Sequence, residues 1–348
     1  MENLNLVIGT YGGHIYVYSF NIADGEFSPL GKVAANNASY TIGIKGRGIY
    51  AVREEGEMSG MYSFMEHVDG ALEQTAFSPA PGGNPCFLAL CSNGSHIVAA
   101  DYSGGSISVY PLSGNVVGER TQQLKFQGSG PVTRRQASPH IHQVKHLPPS
   151  AGIPGEWILA TDLGADRIHL LKVNQGSTAN LLEPVKDIEC PAGSGPRHME
   201  FSRDGRFLFC IAELSGEILT YEISAQGGIP SFEFKCSTLA DEAHSGGSGD
   251  IHIHPSGKWL YTSHRLINDG IAIFKVKKNG KLVREGYVNT GNHPRNFMIS
   301  GCGRFLFVAC KNDKCIQVYE IGKNGVLSKT GALLEFADDQ PSSVVEYV

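Results

Sequence analysis

Residues 190 to 215 read CPAGSGPRHMEFSRDGRFLFCIAELS, and two short apolar runs within them, Met199–Phe201 and Phe207–Ala212, flank Ser202-Arg203-Asp204-Gly205. Asp-Gly between β-forming runs marks a hairpin, because the turn needs a positive φ that glycine adopts at little cost. In a hairpin the start of the first strand lies beside the end of the second. Arg197 and His198 should therefore meet Glu213 at one edge of the sheet. Alone, Arg197 and Glu213 would read as an ion pair between neighbouring strands. Whether the unit repeats decides the fold.

It does repeat. Aligned on the turn glycine, FSRDGRFLFCIAELSGEILTYEI from Phe201, IHPSGKWLYTSHRLINDGIAIFKV from Ile253 and ISGCGRFLFVACKNDKCIQVYEI from Ile299 share one pattern. Each runs on through a Gly-bearing turn into a fourth strand. The period of roughly fifty residues is that of four-stranded propeller blades. More diverged copies open at Tyr40, Asn84 and Ser138, the last with a longer first turn, which makes six units. The N-terminal segment supplies only three strands (LVIGTYG, HIYVYSF, FSPLGKV), and PSSVVEYV at the C-terminus is one strand left over. Three plus one completes a seventh blade. The expectation is an all-β, seven-bladed propeller of antiparallel four-stranded blades, one domain over residues 1–348, closed by pairing the two ends so that no edge stays free.

Composition agrees with an all-β chain: 43 glycines among 348 residues and only 18% charged side chains. A formal net charge of −5 argues against a general nucleic-acid binder, which would carry a basic face. The eight cysteines form no C-x-x-C, and buried free thiols in a reducing compartment are expected rather than disulfides or zinc. The start, MENLNLVIGTYGG, lacks the basic and apolar regions of a signal peptide, and no run reaches membrane-spanning length. A soluble, cytoplasmic protein follows, with no membrane partner, as a monomer or weak dimer.

Superposing Gly205, Gly257 and Gly303 places Arg197 on Arg295, with His140 matched to them from the fourth blade. The second-strand ends then align Glu213, Arg265, Lys311 and, from the fourth blade, Asp162. One mouth of the central channel should carry His140, His142, Arg197, His198, His252, Arg265, His293, Arg295, Glu213 and Asp162. Histidines and arginines gathered where small or apolar side chains are usual point to an anionic ligand. Asp101 and Asp162 read equally as turn-bracing carboxylates. His254 reads as a surface residue, and His146, His169 and His244 as structural or solvated. His140-x-His142 is a workable chelate, but the surrounding cations disfavour a divalent ion, so neither metal nor cofactor is expected. No G-x-S-x-G, P-loop or H-E-x-x-H is present.

Ser138-Pro-His-Ile-His142, Gly195-Pro-Arg-His-Met199, Asp250-Ile-His-Ile253 with Leu260-Tyr-Thr-Ser-His-Arg265, and His293-Pro-Arg-Asn-Phe297 resemble the motifs of the seven-bladed propeller lactonase family. The family includes the bacterial propeller-type 6-phosphogluconolactonases and the fungal carboxy-cis,cis-muconate cyclase, and the resemblance spans essentially the whole chain. It implies hydrolysis of 6-phosphoglucono-1,5-lactone, a small anionic sugar lactone, in the pentose phosphate pathway. It also implies a His, a Glu and arginines at the site, matching His140 or His142, Glu213, Arg197 and Arg265 or Arg295. On that reading Arg265 and Arg295, with His293 or His252, hold the phosphate. Glu213 or His142 activates water, and Arg197 with His198 stabilises the oxyanion. The chain departs from the family where Ala212 stands in place of the Asn that commonly precedes the Glu, and at Asp101 and Lys311. The alternatives are another anionic lactone, a muconate-type cyclisation, or a non-catalytic interaction scaffold.

Overall fold

Ser202-Arg203-Asp204-Gly205 closes a hairpin: Gly205 has φ +71°, and Phe201 pairs with Leu208. A computed structural model describes residues 3–67, 70–177 and 180–348. They form seven antiparallel sheets. In the fifth, Pro196–Phe201, Phe207–Ala212, Glu217–Gln226 and Ile229–Leu239 follow one another from the channel outward. The first sheet pairs the C-terminal strand Gln340–Glu346 with Asn3–Tyr11, which continues to His14–Asn21 and Phe27–Ala34. The two chain ends thus close the ring as their strand count required. The third sheet departs from the pattern, because its outer edge is split into Val116–Val117 and Gln122–Lys125. Among the described residues, helix is confined to the 3-10 turns Gly56–Met58 and Pro149–Ala151, the latter inside the long turn of the fourth blade, and no helix is long and apolar enough to cross a membrane.

Successive sheets pack face to face. Leu159, Ile168 and Leu170 of the fourth sheet meet Met199, Leu208, Cys210 and Leu219 of the fifth in one apolar layer. Each such side chain contributes about 1.5–3 kcal/mol on burial. Similar layers fill the other gaps and hold the blades rigid around the channel. All eight cysteines are free; Cys302 is exposed and Cys236 half-buried, while the other six are buried.

A repeated irregularity of the innermost strands positions the site. In the fifth blade Pro196 pairs with Ala212 and His198 with Ile211, so Arg197 is an extra residue without a partner. The same skip singles out Cys86, His142, Arg295 and Ser342 in the third, fourth, seventh and first blades. A β-bulge re-aims one side chain and bends the strand. Four blades accordingly turn Cys86, His142, Arg197 and Arg295 to equivalent positions at one end of the channel. His142, not His140, is therefore the counterpart of Arg197. His140 precedes its strand, and the alignment that matched it was displaced by the bulge.

Candidate active site

Two sets of side chains meet at this end of the channel. The first set is the bulge residues. The second stands at or just beyond the end of each second strand: Tyr11, Glu54, Tyr102, Glu213, Arg265 and Lys311. Cys86, His142 and Arg295 of the first set and all six of the second line a cavity of about 310 Å³, to which Arg135, Leu266 and His293 also contribute; Arg197 and Ser342 lie off its lining. In the fourth blade this position is Leu163, because Asp162 lies one residue earlier, paired with Ile141.

Glu213 is the centre of the charge arrangement. Its Oε2 accepts from Arg197 Nε at 2.8 Å and from Arg265 Nη2 at 3.1 Å, and its Oε1 accepts from Arg135 Nη2 at 2.7 Å. Burial alone would raise its pKa, but Arg265, Arg197 and Arg135 outweigh burial and hold it at about 2. A carboxylate so acidic, with its lone pairs engaged by three guanidinium groups, is a poor proton acceptor. Of the two expected bases, Glu213 or His142, this geometry favours His142, with Glu213 anchoring the arginines. Arg135 comes from the connection between Gln122–Lys125 and Ile141–His146. It returns across the channel mouth and also donates to the Tyr102 hydroxyl.

Arg197 is almost fully buried. Its Nη1 donates to the Gly249 carbonyl at 2.6 Å and lies 3.3 Å from His198 Nε2. His198 Nδ1 sits 2.6 Å from Asp250 Oδ1, which can only accept, so the Nδ1 proton points there and Nε2 accepts from Arg197. Burial and then Arg197 lower the His198 pKa to about 4 despite Asp250, which keeps the ring neutral. His198 is thus a positioning residue behind Arg197.

His142 is one of two imidazoles on the cavity lining, the other being His293. Burial, then Arg197, His198 and Arg295, hold its pKa well below the usual histidine value. Its Nδ1 has no hydrogen-bond partner among the described residues. A neutral, unengaged imidazole is the strongest base candidate in the cavity.

On the opposite side the cavity is cationic. Arg295 Nη2 donates to the Tyr11 hydroxyl at 2.5 Å, and Tyr11 donates to Glu54 Oε2 at 2.5 Å. The Arg295 guanidinium and the Lys311 ammonium lie 4.9 Å and 5.0 Å from the Tyr11 ring centroid. Burial, then Arg295 and Arg265, lower the Lys311 pKa. Burial brings Arg265 down to about 9, still charged at neutral pH. His293 has φ +59° and approaches Arg265 Nη1 at 3.5 Å. Burial and then Arg265, Arg295 and Lys311 hold His293 at about 3, so it is neutral. Arg135, Arg265, Arg295 and Lys311 thus outnumber Glu54 and Glu213 around the cavity, which favours an anion.

Three expected ligands lie elsewhere. Asp162 is fully buried; its Oδ1 accepts from the backbone N–H groups of His140, Gly164 and Ala165, and its Oδ2 lies 3.3 Å from His169 Nε2. It braces the blade. His140 stacks on Tyr102 at 4.4 Å and bonds the Tyr102 carbonyl through Nδ1, beside the cavity rather than on its lining. His252 faces the opposite mouth, between Asp250 Oδ2 at 3.1 Å and Glu200 Oε2 at 3.6 Å. Burial lowers its pKa, but Asp250 and Glu200 raise it to about 9. The cavity residues absent from the expected set are Tyr11, Glu54, Cys86, Tyr102, Arg135, Leu266 and, although its strand end aligns with Glu213, Lys311. Tyr11, Glu54 and Tyr102 were reachable by the second-strand alignment that found Glu213; Arg135 carried no signal.

A seven-bladed propeller with a cationic, histidine-bearing channel mouth is the class these observations define. The chain belongs to the family described as Lactonase, 7-bladed beta-propeller, whose model matches residues 5–345. It is 32% identical to the 6-phosphogluconolactonase of Formosa agariphila, over 88% of each chain. It is 27% identical to that of Bacillus subtilis, over 91% of this chain and 90% of the relative. Among solved structures, the periplasmic gluconolactonase of Pseudomonas aeruginosa superposes with a TM-score of 0.89 at 27% identity, covering 99% of both chains.

Proposed function

We propose that the protein is a 6-phosphogluconolactonase, hydrolysing 6-phosphoglucono-1,5-lactone to 6-phosphogluconate in the pentose phosphate pathway. The observation that carries this reading is the cavity with neutral His142 on one side and Arg295, Lys311 and Arg265 on the other. The names of the relatives supply the substrate.

Arg295 and Lys311, with His293, hold the phosphate; guanidinium and ammonium groups suit its oxygens. That grip sets the lactone carbonyl toward His142. The imidazole takes a proton from the attacking water, and the carbonyl oxygen becomes an oxyanion stabilised by the guanidinium groups gathered on Glu213. Collapse breaks the bond from the carbonyl carbon to the ring oxygen, which takes the proton back from His142. Water and lactone give the hydroxy acid, and no covalent enzyme intermediate is required. Eight unpaired thiols support a reducing, cytoplasmic setting, and a ring closed by its own ends is sufficient as a monomer.

The test is the initial rate of 6-phosphogluconate formation from lactone generated in situ. A rate well above spontaneous hydrolysis supports the assignment. A rate equal to it rejects the assignment.

A further inference from the structure

The inner strands Pro85–Leu90 and Ile141–His146 carry Cys86 and His142 at the cavity end. At their other end, about 13 Å away at 3.3 Å per residue, they bring together a group the proposed reaction does not use. Cys91 Sγ, a ring nitrogen of His146 and a carboxylate oxygen of Glu156 all lie within 4.8 Å of one another. Cys91 begins the turn after the inner strand of the third blade. His146 ends the inner strand of the fourth, and Glu156 leads into that blade's second strand.

We propose that Cys91, His146 and Glu156 form a binding site for a thiophilic divalent cation of the Zn²⁺ type, which joins the third and fourth blades on the face opposite the cavity. Four observations support it. The donors come from separate segments and are a sulfur, a nitrogen and an oxygen, a set that suits Zn²⁺ and excludes a preference for Mg²⁺ or Ca²⁺. His146 is underused: Glu156 Oε1 lies 3.3 Å from Nδ1 and the Leu90 carbonyl beside the ring, yet among the described residues neither ring nitrogen makes an aligned hydrogen bond. Glu156 is already oriented, its Oε1 accepting from the Ser92 N–H at 3.0 Å and its Oε2 from Gln175 at 2.8 Å, as outer partners orient a metal ligand. Finally, His146 lines a cavity of about 380 Å³ at this mouth, which gives the ion a way in.

The charges balance as well. A thiolate and a carboxylate with a neutral imidazole complement a divalent ion, and water takes the fourth position. Bonds of about 2.0–2.3 Å place tetrahedral donors roughly 3.5 Å apart, so side-chain rotation suffices to close the site. Burial, with Glu156 adding to it, pushes the Cys91 thiol up to about 12. Binding must therefore release the thiol proton, and affinity rises with pH.

The experiment is a Co²⁺ titration of the full-length, chelator-treated protein, followed by Zn²⁺ displacement. The proposal requires a thiolate-to-cobalt charge-transfer band and intense tetrahedral d–d bands that saturate at one equivalent and vanish with Zn²⁺. Both must be lost in Cys91→Ser and in His146→Gln, each checked for folding by circular dichroism. Zn²⁺ should raise the Tm of the wild type and leave that of His146→Gln unchanged. Absence of the thiolate band overturns the proposal, as does a band that survives in Cys91→Ser, which would place the ion at another thiol such as the exposed Cys302.

Discussion

Arg197 Nε donates to Glu213 Oε2 across 2.8 Å, and both side chains are buried. The hairpin turn at Gly205 forces this meeting, and the bulge at Arg197 aims it at the channel. Arg265 and Arg135 join the same carboxylate, so one anion organises three cations that would otherwise repel.

Replacing Glu213 by Gln leaves Arg197 and Arg265 buried without their anion. Breaking a buried pair in this way costs roughly 3–5 kcal/mol. Urea unfolding of Glu213→Gln should show a loss of that size, with lower activity. A loss under about 1 kcal/mol would mean that Glu213 does not anchor the cluster.

The base is tested separately. His142→Gln removes an imidazole whose Nδ1 has no partner among the described residues, so stability should stay within about 1 kcal/mol of wild type. Its kcat should fall by about 10²–10⁴-fold, with KM little changed. An unaltered kcat would remove His142 from the chemistry.

Histidine titrations followed by NMR should separate three environments. His142 should stay neutral well below its ordinary value, His198 should titrate near 4, and His252 should stay charged until about 9. The signs for stability follow. His252 is raised, so its contribution is complete below the unfolded value of 6.5 and is lost as pH rises through about 9. Glu213 is depressed, so its contribution is present above 4.5 and is lost as pH falls through about 2. His142 and His198 are lowered, so acid below 6.5 favours the unfolded chain. Stability measured against pH should peak near 6.5 and decline on both sides. A steady rise from pH 6.5 to 9 would contradict the His252 placement.

Asp162→Ala separates bracing from ligand binding. Two buried backbone N–H groups and one part-buried one lose their acceptor, at a cost of about 3 kcal/mol. KM of the folded fraction should stay within about threefold of wild type. A raised KM with unchanged stability would return Asp162 to the ligand set.

The fold was legible because glycine turns punctuate a fifty-residue period and the two ends supply complementary strands. The site was legible in part. Glu213, Arg265 and Arg295 follow from aligning strand ends, but a bulge adds a residue without leaving a mark in the composition. That is why His140 was matched where His142 belongs, and why Asp162 was placed one residue too far along. Arg135 reaches Glu213 through tertiary folding of a loop, which no local pattern encodes. His252 and His142 both follow alternating patterns; only the strand geometry assigns them to opposite mouths.

The most direct measurement compares kcat/KM for 6-phosphoglucono-1,5-lactone and unphosphorylated glucono-1,5-lactone, in the wild type and in Lys311→Met. A charge-assisted bond to phosphate contributes about 1.5–3 kcal/mol. The account predicts wild-type preference for the phosphorylated lactone, a loss of at least about tenfold on it in Lys311→Met, and no change on the unphosphorylated one. Equal wild-type rates on both lactones, or an equal loss on both in the variant, would contradict a phosphate held by Arg295 and Lys311.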